Sequence, residues 1–384
     1  RSRISAVLTA VDHFDVTNPI QEPSAFFGRK AEIDQLTQAL NRGQSVGIFG
    51  LRKAGKTSLM NSLQRLREDA GRPVVKIDLS EVSSADEFKL RLLERAWDAV
   101  FGQEGEDRAQ SPRLRLRLLD STGRTKSDVK NISLHWTEDL RQLIGRAQRR
   151  IELFIDEIDQ AYPLRAQFGD ETNALFQAIV QLRGLVQAGG QSDAGIVLLC
   201  AGVDPSIFEQ ALLEGRDNLI YKLVKLLWLS PMSRDEMAEM VRALGKRTAV
   251  RFRGHEVIDK LYQEFGGHPL LTRKACSAAI EGRDPAELPF YLSLDRLEHT
   301  LGKRGVSSVA EQARDVFKSF AEWFPEEAQI LPLIWSTEAG DREVGRAFLD
   351  ELPDGLAHAK SYGLVNDDET PRIRALLPAI RGLR

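Results

Sequence analysis

The sequence predicts an α/β protein: a parallel sheet wound by helices, then a helical lid, then a C-terminal winged-helix domain. Three observations carry that prediction. Short apolar runs separated by helical periodicity recur five times, a glycine-rich phosphate-loop pattern follows the first run, and after Pro231 helical spacing replaces the strand signal.

The five runs, read as buried strands, are residues 45–49, 74–79, 151–155, 195–200 and 223–229. Runs of this length with no polar alternation are the pattern of strands covered on both faces, as in a parallel sheet. Beyond Pro231, Ser233 and Glu236 form a capping box for a helix running to about Leu244. Helical spacing covers 256–265 and 270–280 with no strand signal between them. From Val306 onward, helical segments end in a stretch at 364–374 that reads as a hairpin, and helices followed by a hairpin predict the winged helix. Trp323, Phe324, Leu331, Leu333, Ile334 and Trp335 form its expected core. The expected division is an N-terminal arm at 1–24, a nucleotide-binding core at 25–231, the lid at 232–300 and the winged helix at 301–384.

At 384 residues the chain has length for two or three domains. With 53 Lys and Arg against 56 Asp and Glu, a net charge of −3 gives no bulk attraction to polyanions, and any nucleic-acid site must be local. No apolar run approaches the ~20 residues that span a bilayer, so no membrane role is expected. Cys200 and Cys276 stand apart in apolar contexts without metal-ligand spacing, which points to buried thiols in a reducing, cytoplasmic setting. The chain starts at Arg1 without Met, so it is expected to be a piece of a longer protein.

The strongest chemical signal is Gly50-Leu-Arg52-Lys53-Ala54-Gly55-Lys56-Thr57-Ser58, which fits G-x-x-x-x-G-K-[ST] between a buried strand and a helical run. Glycines let the backbone curl around phosphate, so that N–H groups and a helix N-terminus face the anion; Lys56 adds a cation for the β/γ oxygens and Thr57 a hydroxyl for Mg²⁺. Hydrolysis further requires a carboxylate at the end of a neighbouring strand. Ile151-Glu-Leu-Phe-Ile-Asp156-Glu157-Ile-Asp159 supplies Asp156 for the Mg²⁺ shell and Glu157 to polarise a water. Asp159 is either part of this acidic cluster or a helix N-cap.

Together these segments resemble the STAND class of P-loop NTPases within the AAA+-related group, in its archaeal-ATPase-like and MNS-type branches. Asn18-Pro19 followed by Phe26-Phe27-Gly28-Arg29 is similar to the family's arm beside the adenine, which implies Arg29 as a nucleotide contact. Gly266-Gly267-His268-Pro269 resembles the G-G-H-P motif that packs on the nucleotide where other AAA+ proteins keep a sensor arginine, which implies His268 and Pro269; the same residues also read as a helix stop and restart. Ser230-Pro231-Met232-Ser233 is similar to the family's strand-end element. One departure stands out: the fourth strand ends Cys200-Ala201-Gly202, without the Asn, Ser or Thr that senses the γ-phosphate in many AAA+ proteins. Asp204 or Ser206 could substitute, or simply form a turn. Arg216 lies where family members can present an arginine to a neighbour's phosphate, and equally reads as an exposed loop cation.

The resemblance implies ATP, ADP and Mg²⁺ as ligands and a slow ATPase acting as a switch that controls its own assembly or an attached effector or partner, with bacterial defence or signalling as the setting. The alternative is a DNA-handling ATPase of initiator or transposition-helper type. Residues 108–130, where Arg113, Arg115 and Arg117 alternate with Leu114, Leu116 and Leu118, read as a two-faced hairpin that could serve nucleic acid, a partner or a neighbouring subunit; with few aromatics to stack on bases, an ordinary solvated face is the reading preferred over nucleic acid. Residues 307–384 hold nine Lys and Arg against fourteen Asp and Glu, a net −5 that disfavours DNA as the partner of the winged helix. His135, His255, His299 and His358 stand singly and read as structural.

Lys56→Ala is expected to abolish ATP binding, because only backbone dipoles would then face the β/γ charge. Equilibrium nucleotide titration checks this, and wild-type affinity in the variant would exclude the loop as the phosphate site.

Overall fold

The computed structural model describes residues 11–16, 18–101, 135–162, 169–192, 195–213, 215–283, 288–302 and 307–382. The basic segment at 108–130 lies outside them. The chain divides into two compact units: residues 31–49 and 59–227 form one, and residues 1–30, 50–58 and 228–384 form the other.

The first of these units is built on a five-stranded sheet. Its strands are β1 (Val46–Phe49), β2 (Val74–Asp78), β3 (Ile151–Asp156), β4 (Ile196–Gly202) and β5 (Lys225–Trp228), in the spatial order β2-β3-β4-β1-β5. All five expected strands are present. Pairing is parallel from β2 to β1, with Val74 opposite Glu152, Ile151 opposite Ile196 and Val46 opposite Leu199. Every residue of β1, β3 and β4 is buried, which is why these runs are apolar without alternation. Helix α1 (Lys30–Asn41) precedes β1, and α2 (Lys56–Asp69), α3 (Ala85–Phe101), α4 (Trp136–Ala147) and α5 (Gly169–Gln191) connect the strands; α3 packs on β2 and α4, and α5 on β4.

A charged residue in a buried strand needs a partner, and Glu152 of β3 has one. Arg67, in the last turn of α2, donates to its two oxygens from Nε at 3.1 and 2.9 Å and from Nη2 at 2.5 Å, while Nη1 reaches Asn41 Oδ1 at the end of α1 at 2.8 Å. Both side chains are almost wholly buried. One guanidinium thus fixes two helix ends against the strand that leads to Asp156.

In the other unit, α6 (Arg234–Arg247) starts at the expected capping box, with Glu236 N–H donating to Ser233 Oγ and Ser233 N–H donating to Glu236 Oε2. It is followed by α7 (Glu256–Phe265) and α8 (Pro269–Ile280). The lid is not all-helical. Val250–Phe252 (β6) pairs in parallel with Phe290–Leu292 (β7), and α9 (Leu294–Gly302) follows. Three-residue strands whose partners lie 40 positions apart leave no local periodicity, so spacing could not reveal them.

The C-terminal region holds α10 (Ser307–Trp323), α11 (Pro325–Ile334) and α12 (Ala339–Glu351), then a tight turn closed by an antiparallel bridge between Val365 and Pro371. Of the expected core, Phe324 and Leu331 are buried, whereas Trp323, Leu333, Ile334 and Trp335 are only partly covered. The centre is an aromatic cluster instead: Phe324 stacks on His358 at 4.2 Å, with Phe320 and Tyr362 against it. Glu327 accepts from the His358 ring at 2.7 Å and from the Ala359 amide at 2.8 Å, so this histidine is structural. No helix among the described residues is long and apolar enough to cross a membrane.

Arg67→Ala is expected to destabilise the protein by ~3–5 kcal/mol, because it strands the buried Glu152 carboxylate. Urea unfolding measures the loss. The double replacement Arg67→Met with Glu152→Leu is expected to recover most of it, since no buried charge then remains.

Candidate functional site

Residues Gly50–Gly55 form the turn between β1 and α2, and Gly50 is required at its start: a Cβ there would lie 2.6 Å from the Leu229 carbonyl oxygen. Lys53 and Gly55 both take positive φ, +62° and +101°. At Gly55 the position of a Cβ meets nothing within 4 Å, so the space beside the loop is open there. Open space beside a glycine-containing loop leaves room for an anion at the backbone.

Four carbonyl oxygens of this loop are held by side chains. Lys56, buried, donates from Nζ to Gly50 O at 2.9 Å and to Leu51 O at 3.0 Å. Arg29 donates from Nη2 to Ala54 O at 3.3 Å. His268 meets Arg52 O through Nε2 at 3.2 Å. Ile20 N–H also donates to Ser58 Oγ at 3.0 Å. The arm, the phosphate loop and the 266–269 turn, all distant in sequence, therefore converge on one backbone loop. Pro269 opens α8 at its first position, where a missing N–H costs nothing.

Arg29 adopts φ +64°, uncommon for a residue with a side chain, and Glu236 stabilises it there. Glu236 Oε1 accepts the Arg29 amide at 2.7 Å while Oε2 accepts Ser233 N–H, so one carboxylate caps α6 and pins the arm. Burial pulls the Glu236 pKa up, but the Arg29 and Ser233 amides outweigh it and hold the carboxyl below its usual value.

His268 is fully buried and caps α8, its Nδ1 accepting the Leu271 amide at 3.4 Å. An accepting Nδ1 places the proton on Nε2, which then donates to Arg52 O. Burial pushes the imidazole down to about 4, and the charges of Arg29 and Lys56 push the same way. Of the two forms open to this residue, the neutral donor is therefore the one present at neutral pH. On the opposite side of α8, Arg273 donates to His13 O at 2.8 Å, Ser277 to Asp12 at 2.6 Å and Lys274 to Asp15 at 2.5 Å, binding the segment at 12–15 to the same helix.

The acidic cluster lies in the sheet unit. Asp156 ends β3, 1% exposed, and its Oδ1 accepts the Glu157 amide at 3.2 Å. Lys76 of β2 stands 3.8 Å from Asp156 Oδ2 and donates to Asn61 Oδ1. Glu157 takes φ +52°, a sharp turn directly after the strand. Asp159 caps no helix; it accepts the amides of Val203 at 2.6 Å and Asp204 at 2.9 Å. This accounts for Gly202 at the end of β4, since a Cβ there would come within 2.3 Å of Asp159 Oδ1. Burial raises the Asp159 carboxyl to about 7. Asp204 accepts from the Ser206 amide at 2.9 Å, forming the local turn, and Arg216 is exposed in a two-residue hairpin opposite Leu213.

Sequence reasoning missed Lys76 and the arm-pinning role of Glu236. Lys76 left a readable signal, a lone cation in the buried run Val74-Val-Lys-Ile. Glu236 left none, because its capping role already explained it.

Residues 25–192 match the protein family described as AAA ATPase domain. Among solved structures, the Walker-type ATPase PABY2304 of Pyrococcus abyssi superposes with a TM-score of 0.60 at 14% identity, over 96% of this chain and 99% of that one. The ORC2 protein of Aeropyrum pernix, solved as ADPNP–ADP complexes, superposes with a TM-score of 0.53 at 14% identity, over 97% of each chain. The chain shares their fold. No curated protein sequence matches it.

The His268 pKa of about 4 lies below its unfolded value of 6.5, so between those pH values the unfolded chain binds more protons. The stability this neutral ring contributes is complete above pH ~6.5 and is lost as pH falls towards ~4, up to roughly 3 kcal/mol. Asp159 runs the other way, because a carboxyl raised to about 7 favours the folded state at low pH. The two trends overlap, and the comparison with His268→Asn separates them: the stability advantage of wild type over this variant, from urea midpoints, is expected to shrink between pH 7.5 and pH 4.5.

Proposed function

We propose that the protein is an ATP-binding, slowly hydrolysing molecular switch of the STAND kind, in which nucleotide sets the position of the lid and, through it, assembly or an attached effector. The observation that carries this reading is the convergence of Arg29, Lys56 and His268 on the carbonyls of one loop. A shift of the Arg52 peptide on nucleotide binding acts directly on the His268 ring, and hence on α8. The match of residues 25–192 to the AAA ATPase domain family supports the nucleotide, as does the open space beside the loop at Gly55.

The remaining roles follow the sequence motifs. The loop amides and Lys56 bind the phosphates, with Arg52, Lys53, Ala54 and Ser58 completing the loop and Pro269 fixing the lid helix beside His268. Thr57 and Asp156 hold Mg²⁺, Glu157 accepts the proton of the attacking water, and Arg216 serves a neighbouring copy in a homo-oligomer. Bound Mg²⁺ neutralises the charge that develops on the phosphates. The cytoplasmic, defence or signalling setting, and the winged-helix identity of the C-terminal helices, belong to the same proposal. With −5 on residues 307–384, a protein partner suits this region better than DNA.

A lid equilibrium responds to ATP and ADP by their differential affinity for its two positions, and ~1–3 kcal/mol shifts populations about 5–150-fold. His268→Ala is expected to leave ATP affinity largely intact while erasing the difference between ATP-bound and ADP-bound protein, read as hydrogen exchange at α8 or as oligomer size. A wild type that shows no such difference would rule out the switch. Glu157→Gln is expected to retain ATP and lose turnover, since an amide accepts no proton; hydrolysis within about threefold of wild type, below ~0.7 kcal/mol of barrier, would move the base elsewhere.

A further inference from the structure

The turn before His268 is walled in by two segments far from it in sequence. Gly266 has φ +58°, and a Cβ there would lie 2.6 Å from the Arg372 carbonyl oxygen; Gly267 has φ +84°, and its Cβ would lie 2.0 Å from Met232 O. Only glycine fits either position, so the pair does more than stop a helix. Met232 N–H donates to Gly267 O at 3.0 Å.

The side chain of Arg372 spans the same place. Its Nε donates to Gly266 O at 3.3 Å and its Nη2 to Pro231 O at 3.2 Å, so one guanidinium joins the turn to the segment that leads into α6. Arg372 belongs to the short C-terminal hairpin, where its own amide donates to Leu364 O at 3.0 Å and Asn366 N–H donates to Thr370 O at 2.9 Å. At the same end of the hairpin, on the facing strand, a Cβ at Gly363 would lie 2.5 Å from the Pro231 ring. Two hydrogen-bonded contacts thus connect the phosphate loop to the C-terminal region: the His268 ring on Arg52 O, and the Arg372 fork on Gly266 O.

We propose that Arg372 is the positioning residue through which the nucleotide site controls the C-terminal hairpin and the helices attached to it. This rests on the switch reading and deepens it by naming the path of regulation. The geometry suits arginine: two separate nitrogens of one rigid plane, Nε and Nη2, each meet a different carbonyl, whereas a lysine ammonium donates all its hydrogens from one nitrogen on a flexible stem. When the 266–269 turn follows the loop, the fork carries the hairpin with it. Without the fork, the turn moves alone.

The test is hydrogen exchange of the full chain with no nucleotide, with Mg²⁺-ATP and with Mg²⁺-ADP, followed in peptides covering 264–272 and 362–374. In wild type both peptides are expected to differ at least about fivefold in exchange rate between ATP and ADP. In Arg372→Ala and Arg372→Lys, 264–272 keeps its difference, 362–374 loses it, and ATP affinity stays within about threefold of wild type. Trp335→Phe removes the indole bond to Glu369 O and serves as a control for simple loosening: it raises exchange at 362–374 in every state but preserves the ATP–ADP difference. A difference that persists at 362–374 in both Arg372 variants overturns the proposal. A wild type that responds at 264–272 but not at 362–374 overturns it while leaving the switch standing, and a wild type that responds at neither overturns both.

Discussion

Backbone carbonyls inside a tight loop must find donors, and the phosphate loop finds its donors in side chains from three parts of the chain. Lys56 takes Gly50 O and Leu51 O, His268 takes Arg52 O, and Arg29 takes Ala54 O. Because a trans peptide points its C=O and N–H in opposite directions, carbonyls anchored on the protein side turn the amides of those peptide planes the other way. The direction of those amides is therefore a consequence of where the carbonyls are tied. Much of this unit serves to deliver those donors: Glu236 holds Arg29 in an unfavourable backbone conformation, and the Gly266–Gly267 turn brings a buried imidazole to the loop.

The same arrangement explains the electrostatics of the lid contact. A histidine beside two cations and shielded from water is neutral, and a neutral ring with a committed Nδ1 has one proton to donate. A ring of this kind reports position and not charge. That suits a contact whose partner is a peptide carbonyl rather than a phosphate oxygen.

In the sheet unit the corresponding constraint is steric. Asp159 needs the amides after β4, and its carboxylate occupies the space a side chain at position 202 would take. The absence of a polar sensor at the end of the fourth strand, an unexplained departure at the level of motifs, is the other half of that contact. Arg67 and Glu152 show the same economy, one buried pair tying α1, α2 and the strand that carries Asp156.

Local rules determined a large part of this protein. The five strands, the capping box of α6, the glycine-rich loop and the carboxylates at the end of β3 were all legible, because each is decided by periodicity or by residue types within about ten positions; the expected burial holds for β1, β3 and β4, while β5 is only partly covered. The parallel β6–β7 pair, the strand order, the aromatic core around His358 and the roles of Lys76, Glu236 and Arg372 were not legible. Each depends on partners tens to hundreds of residues away, so no window of sequence contains both halves of the interaction. The 266–269 turn lies across that line: Gly-Gly-His-Pro is visible as a helix junction, but only the tertiary structure supplies the two backbones that require its glycines and the carbonyl that receives its histidine.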